Sequence, residues 1–249
     1  MLSEFLLQFR NDLSFFNLFE YLTFKTAISA ITALIISFII GPITIKNLQQ
    51  YQIGEEIRSN GPESHLAKRG TPTMGGVIII LSTLLPTLLF SDLSNIMVLI
   101  IALSTLWMGV IGFIDDYLKI IIKAKDGMIA RYKMIGQILL GVIISYAIIN
   151  SNDFNGFNTK TTIPFFKNFE FDFGIFYPLL VILVLTATSN AVNLTDGLDG
   201  LAIGLLAICF TVFTAISYIS GRVDFSDYLN ILYLPKASEL SIFACLLYT

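Results

Sequence analysis

The sequence is short of charge. Only 13% of its 249 residues are Asp, Glu, Lys or Arg, and 55% are hydrophobic, whereas soluble domains carry about 25% charged residues. This shortage argues against an ordinary soluble domain and predicts an integral membrane protein. The net charge of −3 adds little, because the placement of charge matters more than its sum in a membrane protein.

Cysteine and histidine are also scarce. Cys209 and Cys245 lie in apolar segments 36 positions apart, a spacing that suggests neither a disulfide framework nor a metal site and predicts two small core residues. His65, the single histidine, is by itself expected to be an ordinary loop residue. A secretory signal peptide is not expected either, because charged side chains interrupt the first 22 residues at Glu4, Arg10, Asp12 and Glu20.

Long runs without charge dominate the rest of the chain. They cover residues 26–45, 70–91, 93–114, 134–152, 173–195 and 200–221, and a seventh begins at Leu240. Each complete run is near the roughly 20 residues that a helix needs to cross the hydrocarbon layer. The sequence therefore predicts an all-α, polytopic membrane helix bundle with six complete transmembrane helices and the start of a seventh. We expect one membrane domain over 1–249, in a chain that ends within helix 7 and is a fragment of a longer protein.

Local signals add detail to this bundle. Pro86 is predicted to kink the second helix, and Trp107, well inside the third, is predicted to pack between helices. Aromatic alternation around Lys167 and Asn168 predicts a short outer β-hairpin at about residues 163–173.

The basic residues predict an orientation. Nine of the fifteen lie in the loops after helices 1 and 3, at Lys46, Arg58, Lys68, Arg69, Lys119, Lys123, Lys125, Arg131 and Lys133. The positive-inside rule then places the odd-numbered loops in the cytoplasm and the N-terminus outside.

Three polar segments fall on this predicted cytoplasmic side: PESHLAKRGTPTMGG at 62–76, IDDYLK at 114–119 and NAVNLTDGLDG at 190–200. In the first, Lys68 and Thr73 precede two glycines and a helix N-terminus, an arrangement that favours an anion through backbone N–H groups. The alternative is a positive-inside loop with an ordinary threonine cap.

The second segment contains paired carboxylates. Asp115 and Asp116 belong at the membrane interface or in a wet cavity, because an ionised Asp at a membrane centre costs roughly 2.5–3.5 kcal/mol. Such a pair can hold Mg²⁺ together with waters and substrate phosphates. The alternative is a solvated helix end in which Asp115 pairs with Lys119 at i,i+4.

The third segment places Asn193, Asp196 and Asp199 at three-residue spacing, which is one face of a helix if the segment is helical. The alternative is a polar turn; the full calcium-loop pattern is not present. Together the three segments suit phosphoryl chemistry between a soluble substrate and a lipid substrate.

At these residues the sequence resembles the phospho-N-acetylmuramoyl-pentapeptide-transferase family. The likeness rests on PESHLAKRGTPTMGG, GFIDDYLK and SNAVNLTDGLDGLA, and it extends through SFFNLFEYLTFKTAISAITAL, PFFKNF and SELSI over essentially the whole chain.

The resemblance implies a Mg²⁺-dependent enzyme of bacterial cell-wall synthesis. Such an enzyme moves phospho-MurNAc-pentapeptide from UDP-MurNAc-pentapeptide to undecaprenyl phosphate, releasing UMP and forming lipid I in the first membrane step of peptidoglycan synthesis. It implies a multi-pass protein of the inner membrane with a cytoplasmic active site. Membrane lipids and, as an option, a second copy of the chain are the further partners; nucleic acid is not one.

The resemblance also implies roles for residues. Asp115 and Asp116 would be the catalytic carboxylates and candidate metal ligands, and the substrate-binding candidates are Lys68, Thr73, Lys119, Asn193, Asp196 and Asp199. Family members continue beyond this point with a further Asn, a metal-binding Asp and a histidine-rich motif, none of which this sequence contains. A truncated product of this length is expected to be inactive.

The sequence alone leaves three alternative interpretations of the function. The first is a related polyprenyl-phosphate N-acetylhexosamine-1-phosphate transferase, the second a transporter or lipid-binding scaffold, and the third a non-catalytic membrane fragment. For the enzyme, we expect Asp115 and Asp116 to organise metal and substrate rather than to abstract a proton, because a phosphate monoester with a second pKa near 6 is mostly dianionic at pH 7.

Overall fold

The computed structural model describes residues 2–11, 13–50, 74–122, 127–154, 156–162, 170–196 and 200–247. Its helices are α1 Leu2–Leu7, α2 Leu22–Gln50, α3 Gly76–Phe90, α4 Ile96–Ile120, α5 Ala130–Asn150, α6 Tyr177–Thr195, α7 Leu201–Ser220, α8 Val223–Leu229 and α9 Leu240–Leu246. Short 3₁₀ helices lie at Ser14–Glu20, Asn152–Phe154, Gly174–Phe176 and Ala237–Glu239.

Within these ranges, five helices are long and apolar enough to cross a membrane: α2, α4, α5, α7, and α6 taken together with the 3₁₀ turn before it. This confirms the predicted polytopic bundle. The second predicted span corresponds to α3, which has 15 residues and is shorter than the length needed to cross a membrane. Instead of the six complete spans that the sequence predicts, the described residues contain five such helices, with the shorter apolar helix α3 in the place of the sixth. Pro86 lies buried inside α3, and its kink stays a prediction.

A tight turn joins α3 to α4. The Asp92 carboxylate accepts hydrogen bonds from the Ser94 hydroxyl at 2.7 Å and the Ser94 N–H at 2.9 Å, and the hydroxyl bond above all lowers the pKa of Asp92. Asn95 then caps α4 by accepting the Met97 N–H at 3.0 Å, the usual role of an Asn at this position. The two helices are thereby held as antiparallel neighbours.

Small residues let α4, α5 and α6 approach closely. The Trp107 indole of α4 donates to the Gly136 carbonyl of α5 at 3.1 Å, which confirms the predicted packing role of this tryptophan. A Cβ on Gly141 of α5 would lie 2.7 Å from Ile182 Cγ1 and 3.0 Å from its Cα in α6. Such close backbone approach at glycine is typical of membrane helix pairs.

The ends of the bundle near the start of α2 and of α4 form what we call the opposite face, because it lies away from Asp115. Here Lys25 pairs with Glu239 at 3.2 Å, and Glu239 also accepts the Asp92 N–H at 3.4 Å. The Asn95 amide donates to the Lys236 carbonyl at 3.0 Å. The start of α9 is thus tied to the turn between α3 and α4.

The two cysteines differ. Cys245 is buried in α9, as predicted, but Cys209 is exposed on α7, so its prediction as a core residue is wrong. Within the described part of α7 only Ala202 is buried, so an apolar segment there does not imply an interior position.

The predicted hairpin is present with shifted boundaries. Lys160–Thr162 (β1) and Glu170–Asp172 (β2) pair antiparallel, with Thr161 opposite Phe171. The first strand begins before residue 163, with Lys160 opposite Asp172, and the Lys160 ammonium also reaches diagonally to Glu170 at 3.3 Å. The predicted turn at 167–168 lies outside the described residues.

Candidate functional site

The end of α4 contains the acidic pair, and both carboxylate oxygens of Asp115 accept hydrogen bonds there. Its Oδ2 accepts the Lys119 ammonium at 2.9 Å, and its Oδ1 accepts the Met128 N–H at 2.8 Å. The Asp115 side chain is only 15% exposed, whereas Lys119 is 48% exposed. The i,i+4 pairing that the sequence allowed as an alternative is therefore formed, and a second bond comes from the start of the next helix.

Gly127 makes this arrangement sterically feasible. Its φ is +63°, and a Cβ there would lie 2.6 Å from Asp115 Oδ1 and 2.6 Å from Lys119 Cε. Glycine adopts such a conformation without the penalty that other residues incur. The chain therefore folds back directly onto the Asp115–Lys119 pair.

The Asp116 side chain leaves α4 in a different direction from that of Asp115. Successive residues of a helix point about 100° apart, so Asp116 does not share the environment of its neighbour. It is half-buried and has an interaction of its own.

The end of α6 contains two more of the predicted residues. Asn193 is exposed in the last turn, and Asp196 is the exposed C-cap residue, whose N–H donates to the Val192 carbonyl at 3.1 Å. Both are accessible to a ligand. Asp199 lies outside the described residues, as do Lys68 and Thr73, and their roles stay predictions.

The packing of α5 against α6 shows which end of the bundle contains Asn193 and Asp196. Gln137 of α5 donates to the Ser189 hydroxyl at 3.1 Å and accepts from the Asn190 amide at 3.3 Å, whereas Gly141 meets Ile182. Residue numbers rise in α5 as they fall in α6, so the helices are antiparallel. The C-terminal end of α6 thus lies beside the N-terminal end of α5.

Asp115 lies at this same end. Gly136 is close to Ile111, since a Cβ on this glycine would lie 2.7 Å from Ile111 Cδ1. At 1.5 Å per residue, Asp115 lies about 6 Å beyond Ile111, and Asn193 about 5 Å beyond Asn190 in the same direction. We call this end of the bundle the acidic face; its residues are Asp115, Asp116, Lys119, Asn193 and Asp196.

Sequence reasoning missed Gln137, which is 1% exposed and joins α5 to α6. Its position in the sequence could have indicated this role, because an amide side chain inside a charge-free run must find hydrogen-bond partners away from water. It also missed Lys133, which lies close enough to act electrostatically on Asp115.

The chemistry of the donors fits Mg²⁺ in part. This ion is commonly bound by one or two carboxylates, with waters and substrate phosphates completing its shell. Among the described residues no three His, Cys, Asp or Glu side chains come together as a ligand set. Asp115, Asp116 and Asp196 bring carboxylates to the acidic face, and the Asp115 carboxylate is also paired with the Lys119 ammonium.

Comparisons with known proteins agree with the motifs. The model of glycosyl transferase family 4 matches residues 98–243, and a signature of phospho-N-acetylmuramoyl-pentapeptide-transferase matches residues 68–80.

Curated relatives extend the similarity beyond the motifs. Proteins named phospho-N-acetylmuramoyl-pentapeptide-transferase from Desulforapulum autotrophicum and Citrifermentans bemidjiense are 45% and 44% identical, each over 97% of this chain and 67% of the relative. That from Koribacter versatilis is 44% identical over 92% of this chain and 64% of the relative. The chain thus spans about two thirds of the length of these relatives. It belongs to glycosyl transferase family 4 and, within that family, to the phospho-N-acetylmuramoyl-pentapeptide-transferases.

Proposed function

We propose that the protein transfers phospho-MurNAc-pentapeptide from UDP-MurNAc-pentapeptide to undecaprenyl phosphate, forming lipid I and releasing UMP. The observation that carries this proposal is the 45% identity over 97% of the chain to a protein of that name, together with the signature match at 68–80. The acidic face at the ends of membrane-length helices supplies a suitable place for the reaction.

The location of the acidic face fits a reaction between two phases. Carboxylates at a membrane centre are costly, whereas at helix ends they can meet both a soluble nucleotide-sugar and the phosphate of a lipid. The density of basic residues near this face supports a cytoplasmic orientation in the bacterial inner membrane. The N-terminus, close to the opposite face, would then lie outside.

The reaction we propose is a direct displacement. An oxygen of the lipid phosphate attacks the β-phosphorus of the nucleotide-sugar, the new P–O bond forms, the pyrophosphate bond breaks, and UMP leaves with the bonding electrons. The nucleophile is mostly dianionic at pH 7, since its second pKa is near 6. No protein group is therefore required to remove a proton from it.

Catalysis of phosphoryl transfer depends chiefly on positioning and charge neutralisation. When bound, Mg²⁺ would neutralise charge on the pyrophosphate, with Asp116 and Asp196 as the carboxylates that can hold it. The Lys119 ammonium adds positive charge at the same face. The exposed Asn193 amide can donate to and accept from the nucleotide.

The test uses the purified full-length protein in lipid nanodiscs with undecaprenyl phosphate and Mg²⁺. UDP-MurNAc-pentapeptide should give UMP and a lipid-linked product, and UDP-N-acetylglucosamine should give neither. Asp116→Asn should reduce the rate by about 100-fold or more, comparable to the loss of one group that stabilises transition-state charge.

Two results contradict the proposal. Release of UMP from UDP-N-acetylglucosamine alone would favour the related hexosamine-phosphate transferase. Absence of UMP release with either nucleotide-sugar would leave a non-catalytic membrane protein.

A further inference from the structure

We propose that Asp115 is a positioning residue: it fastens the start of α5 to the end of α4 and holds Lys119 at the acidic face, and it is not a metal ligand. The inference rests on the proposed function for its kinetic consequences. Its structural basis is independent of that function, because it lies in the contacts of the carboxylate.

The first argument is the use of the carboxylate oxygens. One accepts the Met128 backbone N–H at 2.8 Å and the other accepts the Lys119 ammonium at 2.9 Å. Hydrogen bonds to a charged group are about twice as strong as neutral ones, and the side chain is only 15% exposed. A metal ion at Asp115 would have to share the carboxylate with the Lys119 ammonium, whose positive charge repels a second cation there.

The second argument is the shape of the segment that Asp115 holds. Gly127 adopts a φ of +63° and lies against both Asp115 and Lys119, so that a Cβ would lie 2.6 Å from each side chain. The backbone at 127–128 is therefore fitted to the ion pair itself. Only a residue without a Cβ allows the Met128 N–H to reach the carboxylate in this way.

The third argument is where α5 leads. From Met128 the chain enters α5, and Gln137 then bonds to Ser189 and Asn190 of α6. Asn193 follows within one turn. Asp115 thus determines where α5 begins relative to α4, and through Gln137 it influences the placement of Asn193 on the other side of the acidic face.

The experiment compares three variants of the full protein in nanodiscs. Asp115→Asn retains an acceptor but loses the charge that pairs with Lys119, and Gly127→Ala inserts a methyl group against the pair. Gly112→Ala is the matched control, because a Cβ on this glycine of α4 meets nothing within 4 Å.

The first measurement is hydrogen–deuterium exchange of the peptide that contains the Met128 amide, which needs no activity. Asp115→Asn exchanges the charge-assisted hydrogen bond of the Met128 N–H for a weaker neutral one, which corresponds to about tenfold faster exchange. We expect this increase in Asp115→Asn and Gly127→Ala and not in Gly112→Ala. Unchanged exchange in Asp115→Asn overturns the proposal, and this variant alone decides the point if Gly127→Ala does not fold.

The second measurement is kinetic and separates positioning from metal binding. We expect both variants to raise the KM for the nucleotide-sugar in parallel, with the Mg²⁺ concentration for half-maximal rate unchanged. A selective rise of about tenfold in that Mg²⁺ concentration for Asp115→Asn, with Gly127→Ala like the wild type, makes Asp115 a metal ligand and refutes the inference. If the wild-type protein releases no UMP, the proposed function fails and the exchange measurement still decides the role of Asp115.

Discussion

Replacing Gln137 with leucine should weaken the pairing of α5 with α6. Gln137 is 1% exposed and makes two hydrogen bonds across this interface, at 3.1 Å to Ser189 and 3.3 Å from Asn190. Leucine has a similar volume and fills the same space, so the packing term changes little. The loss is therefore mainly that of the two polar contacts.

The size of the effect follows from measurements on membrane proteins. Hydrogen bonds between membrane helices contribute about 0.6 kcal/mol each on average, so two give about 1.2 kcal/mol, or about sevenfold in the unfolding equilibrium. Asn190 keeps its second bond, to the Thr186 carbonyl at 2.8 Å. This retained bond keeps the expected loss near the average value.

The assay is unfolding in mixed micelles with increasing denaturing detergent. The protein has one tryptophan, and the Trp107 indole bonds to Gly136, the residue before Gln137. Its fluorescence therefore reports on α5 at the altered position. Circular dichroism provides a second probe of the same transition.

Ser145→Ala is the matched control. Ser145 is also 1% exposed and also in α5, but its hydroxyl bonds to the Val142 carbonyl of its own helix at 2.9 Å. Its removal should change the stability far less than Gln137→Leu. Equal stability of the two variants would refute the role assigned to the Gln137 amide.

Three further predictions concern other parts of the chain. Glu239→Ala should lower the midpoint of thermal unfolding in detergent, with a loss of about 2 kcal/mol, because it leaves the 15% exposed Lys25 without its ion pair; Lys25→Met in the same protein should recover part of it. Gly141→Ala should cost about 1–3 kcal/mol in the same assay by forcing α5 from α6, and an unchanged midpoint would contradict the close approach. The Thr159 hydroxyl first, and a backbone N–H second, lower the pKa of Asp172 in the folded hairpin. The contribution of the ionised Asp172 to hairpin stability is therefore complete above the unfolded pKa of about 3.9 and is lost as the pH falls through the lower folded value. Carboxyl NMR should show the pKa of Asp172 rising in Thr159→Ala.

The helices could be predicted because a bilayer requires long runs without charge. The predicted ends of the helices were less accurate than their positions, and the reason is physical. Residues 26–45 are charge-free, yet α2 covers Leu22–Gln50, since basic side chains such as Lys25 and Lys46 can extend toward the interface while the backbone stays helical. Charge counting finds the hydrocarbon-spanning part of a helix and not its full length.

The sequence could predict which residues form the candidate site, but not most of the contacts between them. The pairing of Asp115 with Lys119 is local and follows from helix geometry. The bond from Met128 to Asp115 joins residues 13 positions apart through a turn at Gly127, and no spacing rule identifies it. The partners of Gln137 likewise depend on the register of two helices, which is set by packing at glycines and not by either segment alone.

The ion pair between Lys25 and Glu239 has a consequence for biosynthesis. Its partners are 214 positions apart in the chain, and ribosomes add about 5–20 residues per second. The first helices are therefore made about 10–40 s before their acidic partner exists. Until then the turn between α3 and α4 also lacks the Glu239 carboxylate that accepts the Asp92 N–H, so this end of the bundle closes only as a late step of synthesis.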